Sequence, residues 1–160
     1  MSDLLVNLYK MEKSFDVEEL GKKGIIIKRA LAPDKNRILD FVSENYGVGW
    51  RNECEYALFN SPISCFIAVK NKEVVGFCCY DATAKGFLGP IGISPFMKGG
   101  GIGQALLCRT LEAMREDGYG YAVIGWVGKA IGFYEKCLEV YEIPNSDPEQ
   151  GIYTRLIQMD

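Results

Sequence analysis

The chain predicts a mixed, mostly antiparallel central sheet flanked by helices, an α/β (α+β) fold. Two apolar runs, Ile63 to Lys70 and Glu73 to Tyr80, are joined only by Asn71-Lys72, a link short enough to make them an antiparallel hairpin. The β-branched Ile25-Ile26-Ile27 and the apolar Tyr121-Ala122-Val123-Ile124 are each followed by a helical pattern. Strands that alternate with helices, together with a hairpin, require helices packed on the faces of one mixed sheet.

The elements follow in order. Leu4 to Tyr9 is apolar and fits either a strand or a helix start, and the charged stretch from Lys10 to Lys23 reads as solvated. Ile25 to Ile27 reads as a buried strand bounded by Gly24. Pro33 suits a first helical turn, and the apolar residues Ile38, Leu39, Phe41 and Val42 continue that helix to Gly47. A shorter helical pattern passes through Trp50, Cys54, Ala57 and Leu58 and stops before Ser61-Pro62. The hairpin comes next, and then a third strand, Gly86 to Ile93. Its interior holds Gly89, Pro90 and Gly92, which predict a bulge or splayed pairing with backbone groups left free. A long amphipathic helix starts at Ile102 and is stopped by Gly118. Tyr121 to Ile124 is a buried strand, Lys129 to Lys136 a short helix, and Ile152 to Ile157 a closing strand after a turn-rich segment.

The chain has 160 residues, 48% of them hydrophobic and 24% charged. A compact fold of this length hides about two thirds of its unfolded surface, enough for one core, so residues 1–160 are expected to form a single domain, with 1–23 an N-terminal extension of open structure. A net charge of -3 argues against nucleic acid or an anionic membrane as partner. The absence of His removes His-activated nucleophiles, His bases and His metal sites, and no metal is expected. Six Cys without a Cys-x-x-Cys pair read as buried reduced thiols. No basic, signal-like start and no long apolar run is present, so the expected location is the reducing cytoplasm.

The strongest chemical signal is Lys98-Gly99-Gly100-Gly101-Ile102-Gly103, between a strand and the long helix. A helix N-terminus presents unpaired amides and partial positive charge, and glycines let the backbone approach an oxyanion. No Asp or Glu occurs from Ala82 to Leu111, while Lys85, Lys98 and Arg109 do. A phosphate cradle and a merely flexible loop both fit the glycines. A Walker P-loop requires Lys and then Ser or Thr after them, and a Rossmann register from Gly101 would put Leu106 where a small residue belongs, so both nucleotide folds are disfavoured.

This segment resembles the Gln/Arg-x-x-Gly-x-Gly/Ala signature of the GNAT superfamily of acetyl-CoA-dependent N-acetyltransferases. Ile91-Gly92-Ile93-Ser94-Pro95 resembles the family's bulged fourth strand, and Ala130 to Lys136 the helix after its fifth. The resemblance covers about residues 62–137. It implies that the pyrophosphate of coenzyme A lies on amides from Gly99, Gly100, Gly101, Ile102 and Gly103 with Lys98 nearby, and that the pantetheine arm pairs with backbone at Ile91, Gly92 and Ile93. It also implies that Phe133 lines the thioester end and that Tyr134 donates a proton to the departing thiolate. Lys98 departs from the usual Gln or Arg, Val127 stands where many members have Asn, and Cys137-Leu138 replaces an apolar residue and Gly.

The expected activity is transfer of an acetyl group from acetyl-CoA to a primary amine by direct attack, the acceptor being a small molecule or peptide. The alternative is a catalytically silent acyl-CoA-binding or regulatory module. A monomer or homodimer is expected. Asp81, Glu53 and Glu55, with Tyr80 besides, are candidates for the base, and the backbone N–H near Ile93 for the oxyanion donor. Trp50, Glu53, Glu55, Tyr56 and Phe59 could form an acidic, aromatic wall for a cationic amine.

Overall fold

A computed structural model describes residues 1–11 and 17–158. Seven strands form one sheet: β1 (Leu4–Asn7), β2 (Ile25–Arg29), β3 (Cys65–Lys70), β4 (Glu73–Tyr80), β5 (Phe87–Ile93), β6 (Tyr121–Ile124) and β7 (Val140–Glu142). Their spatial order is β2-β3-β4-β5-β6-β1-β7. Every pairing is antiparallel except β5 with β6. The helices are α1 (Val17–Lys22), α2 (Lys35–Tyr46), α3 (Val48–Phe59), α4 (Ile102–Glu116) and α5 (Ile131–Cys137). Among the described residues, no helix is long and apolar enough to cross a membrane.

Local chemistry explains most of the frame. Asn71 and Lys72 both take positive φ, 52° and 64°, the backbone that joins two right-twisted strands by a two-residue turn. α4 buries Ile102, Leu106, Leu107, Leu111 and Met114 in the larger core, with the sheet residues Phe66, Cys78 and Tyr80. Gly118, at φ 100°, ends it. A second core holds Ile38, Leu39 and Val42 of α2 and Cys54, Ala57 and Leu58 of α3 against Ile67 and Phe77. All six cysteines are buried thiols, as their apolar neighbours predicted.

Four segments differ from the sequence-based expectation or settle what it left open. Leu4–Asn7 resolves into β1, which lies between β6 and β7, so the N-terminal segment is an integral part of the sheet. Within Lys10 to Lys23, residues 12–16 lie outside the described residues, and 17–22 form α1, which buries Leu20. The short helix expected at Lys129 to Lys136 is present as α5, entered through a 3-10 turn at Gly128–Ala130. β7 was not foreseen, and it takes the sheet edge where a closing strand was expected. Ile152 to Ile157 is therefore no strand: Ile152–Arg155 is a 3-10 turn whose one buried residue is Tyr153. That ring packs edge-on against Trp126 at 4.8 Å, and the residues after it are exposed, without the alternation a strand needs.

Candidate functional site

The bulge predicted in β5 creates the site. Cys78 pairs with Ile91 and Tyr80 with Leu88, so Gly89 and Pro90 together face the single residue Cys79. β5 and β6 are paired only at Phe87 with Val123 and Leu88 with Ile124. In the gap beyond them lies a cavity of about 1050 Å³, lined by β5 from Leu88 to Ile93 and, opposite, by Ile124 to Val127. The Ser94 amide donates to the Val75 carbonyl at 2.8 Å. Antiparallel alternation thus turns the polar groups of Gly92 and Ser94 toward β4 and those of Ile91 and Ile93 toward the gap.

At one end of the cavity stand Lys98, Gly99 and Gly103. Gly99 and Gly101 take φ of 85° and 87°, a left-handed backbone that favours glycine, and Gly101 caps α4 with no side chain bonded to its first amides. The α4 N-terminus is therefore open to an anion. Gly100 and Gly101 belong to the turn without lining the cavity, and the Ile102 side chain is buried in the core, leaving only its amide for a ligand. Gly103 has a steric duty as well. A Cβ there would stand 3.3 Å from the Phe133 ring, so its smallness lets α5 approach α4.

Phe133 and Tyr134 also line the cavity, their ring centroids 5.2 Å apart. Tyr134 is almost wholly buried, and burial pushes its hydroxyl further above the usual phenol range, so it stays protonated. That suits a proton donor.

The structure separates the candidate bases. Glu53 lines the cavity, and its carboxylate accepts a 2.5 Å hydrogen bond from the Thr83 hydroxyl. Burial raises its pKa and the Thr83 bond opposes the rise. Asp81 instead organises its own turn, accepting from the Gly86 amide at 2.8 Å and from the Tyr119 hydroxyl. Glu55 is paired with Arg51 at 3.2 Å, and Tyr80 donates to Asp117 at 2.6 Å. Neither lines the cavity. Of the expected acidic, aromatic wall, Trp50 and Glu53 face the cavity, while Tyr56 and Phe59 are exposed on the outside of α3.

Three aromatic lining residues escaped the sequence reading. Tyr46, at the end of α2, donates to the Ile93 carbonyl at 2.6 Å and accepts from the Ile93 amide at 2.8 Å. The amide expected to face an oxyanion is therefore occupied by a phenol. Trp126 and Tyr153 close the opposite wall. No local pattern marks any of the three, because each reaches the cavity through a long-range contact.

Outside the cavity, the sulfurs of Cys54, Cys65 and Cys79 lie within 4.8 Å of one another, a spacing that could hold a soft metal ion. Ligation needs thiolates. Hydrogen bonds from Cys65 and Cys79 pull the Cys54 thiol down to about 5, while the bond with Cys54 holds Cys65, and burial holds Cys79, well above their ordinary range, so the cluster favours one thiolate bonded by two thiols over three thiolate ligands.

A family model described as "Acetyltransferase (GNAT) family" matches residues 35–138, from α2 through α5. The chain belongs to the GNAT acetyltransferase family. Solved structures share the fold at low identity. A glucosamine N-acetyltransferase region of a fungal multi-domain GH3 β-N-acetylglucosaminidase superposes with TM-score 0.71 at 13% identity, covering 88% of this chain and 20% of that one. A GCN5-related N-acetyltransferase from Sphaerobacter thermophilus gives 0.67 at 17%, covering 88% and 48%. An aminoglycoside acetyltransferase from an uncultured soil metagenomic sample gives 0.54 at 15%, covering 72% and 88%. The chain thus spans a fifth to a half of the first two structures' length. No curated protein matches the sequence. As a GNAT chain, the protein has its splayed β5–β6 pair and glycine turn inside the matched span.

Proposed function

We propose that this GNAT chain transfers an acetyl group from acetyl-CoA to a primary amine. The observation that carries the reading is the single continuous cavity. Its lining brings together Lys98, Gly99 and Gly103 beside the α4 N-terminus, the outward edge of β5, the protonated Tyr134 and Glu53. Each part suits one portion of the donor or acceptor. The glycine turn and Lys98 suit a diphosphate, since both supply positive potential without a competing acid from Ala82 to Leu111. The outward backbone of Ile91 suits the amides of an extended pantetheine arm.

Acetyl-CoA supplies an activated thioester, and the protein's task is to manage protons around it. An amine of pKa near 10 is neutral about one part in a thousand at pH 7, a penalty of roughly 4 kcal/mol before attack. Glu53 is the carboxylate that faces the cavity and can take that proton, directly or through water, and its raised pKa improves it as a base. Tyr134 holds the proton that the departing thiolate requires. With no His to activate a nucleophile, direct attack by the amine is the economical route.

One observation favours a second reading. Tyr46 occupies both polar groups of Ile93, as it would in a chain that binds the carrier without turning it over. Calorimetry with acetyl-CoA, followed by free-thiol release across an amine panel, separates the two. Binding with release supports the enzyme, binding without release the silent module, and absence of binding overturns both.

A further inference from the structure

Both tryptophans of the chain, Trp50 and Trp126, line the cavity and stay partly exposed, at 36% and 41%. They come from opposite walls. Trp50 on α3 stacks on Tyr46 with centroids 4.9 Å apart and 17° between planes. Trp126, beyond the end of β6, meets Tyr153 edge-on. Trp126 also holds a left-handed backbone, φ 48°, an unusual conformation for a bulky side chain and one found most often where a functional surface requires it. Gly125 before it has Tyr153 packed where a Cβ would stand, which fixes that ring beside Trp126.

The charged inventory of the same cavity is sparse. Among the described residues, Glu53 and Lys98 are its only charged lining residues, and Lys98 stands with the glycine turn. Glu53 is three residues from Trp50 on α3, so both project from one helix face. The Thr83 hydroxyl is engaged by Glu53 and the Tyr46 hydroxyl by Ile93. Among the described lining residues a second ammonium would find no second carboxylate and would be left unpaired.

We infer that the acceptor is an arylalkyl monoamine: one ammonium directed to Glu53, with an aromatic body held between the Trp50 and Trp126 walls. This rests on the acetyltransferase reading above and narrows its acceptor. A linear diamine finds no second carboxylate among the described lining residues, and an aminosugar lacks the aromatic body that the two tryptophans suit.

The test uses the full chain with 2-phenylethylamine, butylamine, putrescine and glucosamine. Tryptophan fluorescence titration reads binding without needing turnover. Saturable quenching by 2-phenylethylamine at about tenfold lower concentration than by butylamine, with putrescine and glucosamine weaker still, is the expected result. Trp50→Ala should bring the phenylethylamine-to-butylamine ratio close to one, an effect that a general loss of fold, which weakens both amines together, would not produce. Putrescine or glucosamine binding as tightly as 2-phenylethylamine would overturn the inference, and so would an absence of saturable quenching by the aromatic amine. A ratio unchanged in both Trp50→Ala and Trp126→Ala would overturn it too. Failure of the acetyltransferase reading shows itself separately, as absent acetyl-CoA binding while selective amine binding persists.

Discussion

The phenol oxygen of Tyr46 lies 2.6 Å from the carbonyl oxygen of Ile93 and 2.8 Å from its amide nitrogen, so one hydroxyl closes both polar groups of that residue. The contact exists because Gly92 has no side chain: a Cβ there would stand 2.4 Å from the Tyr46 ring. A pantetheine amide reaching Ile93 must displace this phenol. Tyr46→Phe removes the competitor, and coenzyme A should bind about three- to tenfold more tightly by calorimetry, the worth of one hydrogen bond. Weaker binding would mean that the hydroxyl belongs to the binding surface.

The same close approach sets a stability prediction. Gly92→Ala forces a methyl group into the Tyr46 ring and to 2.8 Å from the Phe77 ring, both held in the packed second core. Overpacking of this kind costs about 1–3 kcal/mol, to be read from the midpoint of urea unfolding. An unchanged midpoint would show that Tyr46 swings away freely.

Gly101 and Tyr134 should separate binding from chemistry. Gly101→Glu strains a left-handed backbone and adds negative charge at the α4 N-terminus, and it should abolish acetyl-CoA binding. Tyr134→Phe keeps the ring and loses the proton, so binding should persist while thiol release slows by about a hundredfold. Equal loss of binding in both variants would remove the role given to Tyr134.

Glu53 links function to stability with a definite sign. Its folded pKa is raised, so the folded state favours the protonated form, and stability falls as pH rises from the ordinary carboxylate value of 4.5 through the folded value. Glu53→Gln should therefore raise the melting temperature at pH 7 and give no gain below pH 4, while lowering kcat/KM by about a hundredfold or more. A melting temperature raised equally at both pH values, or an unchanged kcat/KM, contradicts this account.

Most of the frame was legible before any coordinates because the signals are local. Asn71-Lys72 carries its turn in adjacent residues, Gly89-Pro90 carries the β5 bulge, and the apolar face of α4 repeats at helical spacing. The C-terminal segment was misread for the opposite reason. An apolar run such as Ile152 to Ile157 becomes a strand only if a sheet edge is free beside it, and β7 on β1 holds that edge. β7 itself is three residues long, too short to announce itself by pattern.

The amino-acid order by itself determined the sheet and helix frame from Gly24 to α5, the glycine turn, the splayed strand and the exclusion of His chemistry, since each depends on backbone preference or composition within a few residues. Only the tertiary structure decided which carboxylate faces the cavity, that Tyr46 closes Ile93, and that two tryptophans 76 positions apart share one chamber. Those relationships join residues distant in the chain, and the energy that selects them comes from packing between elements, which no local pattern encodes.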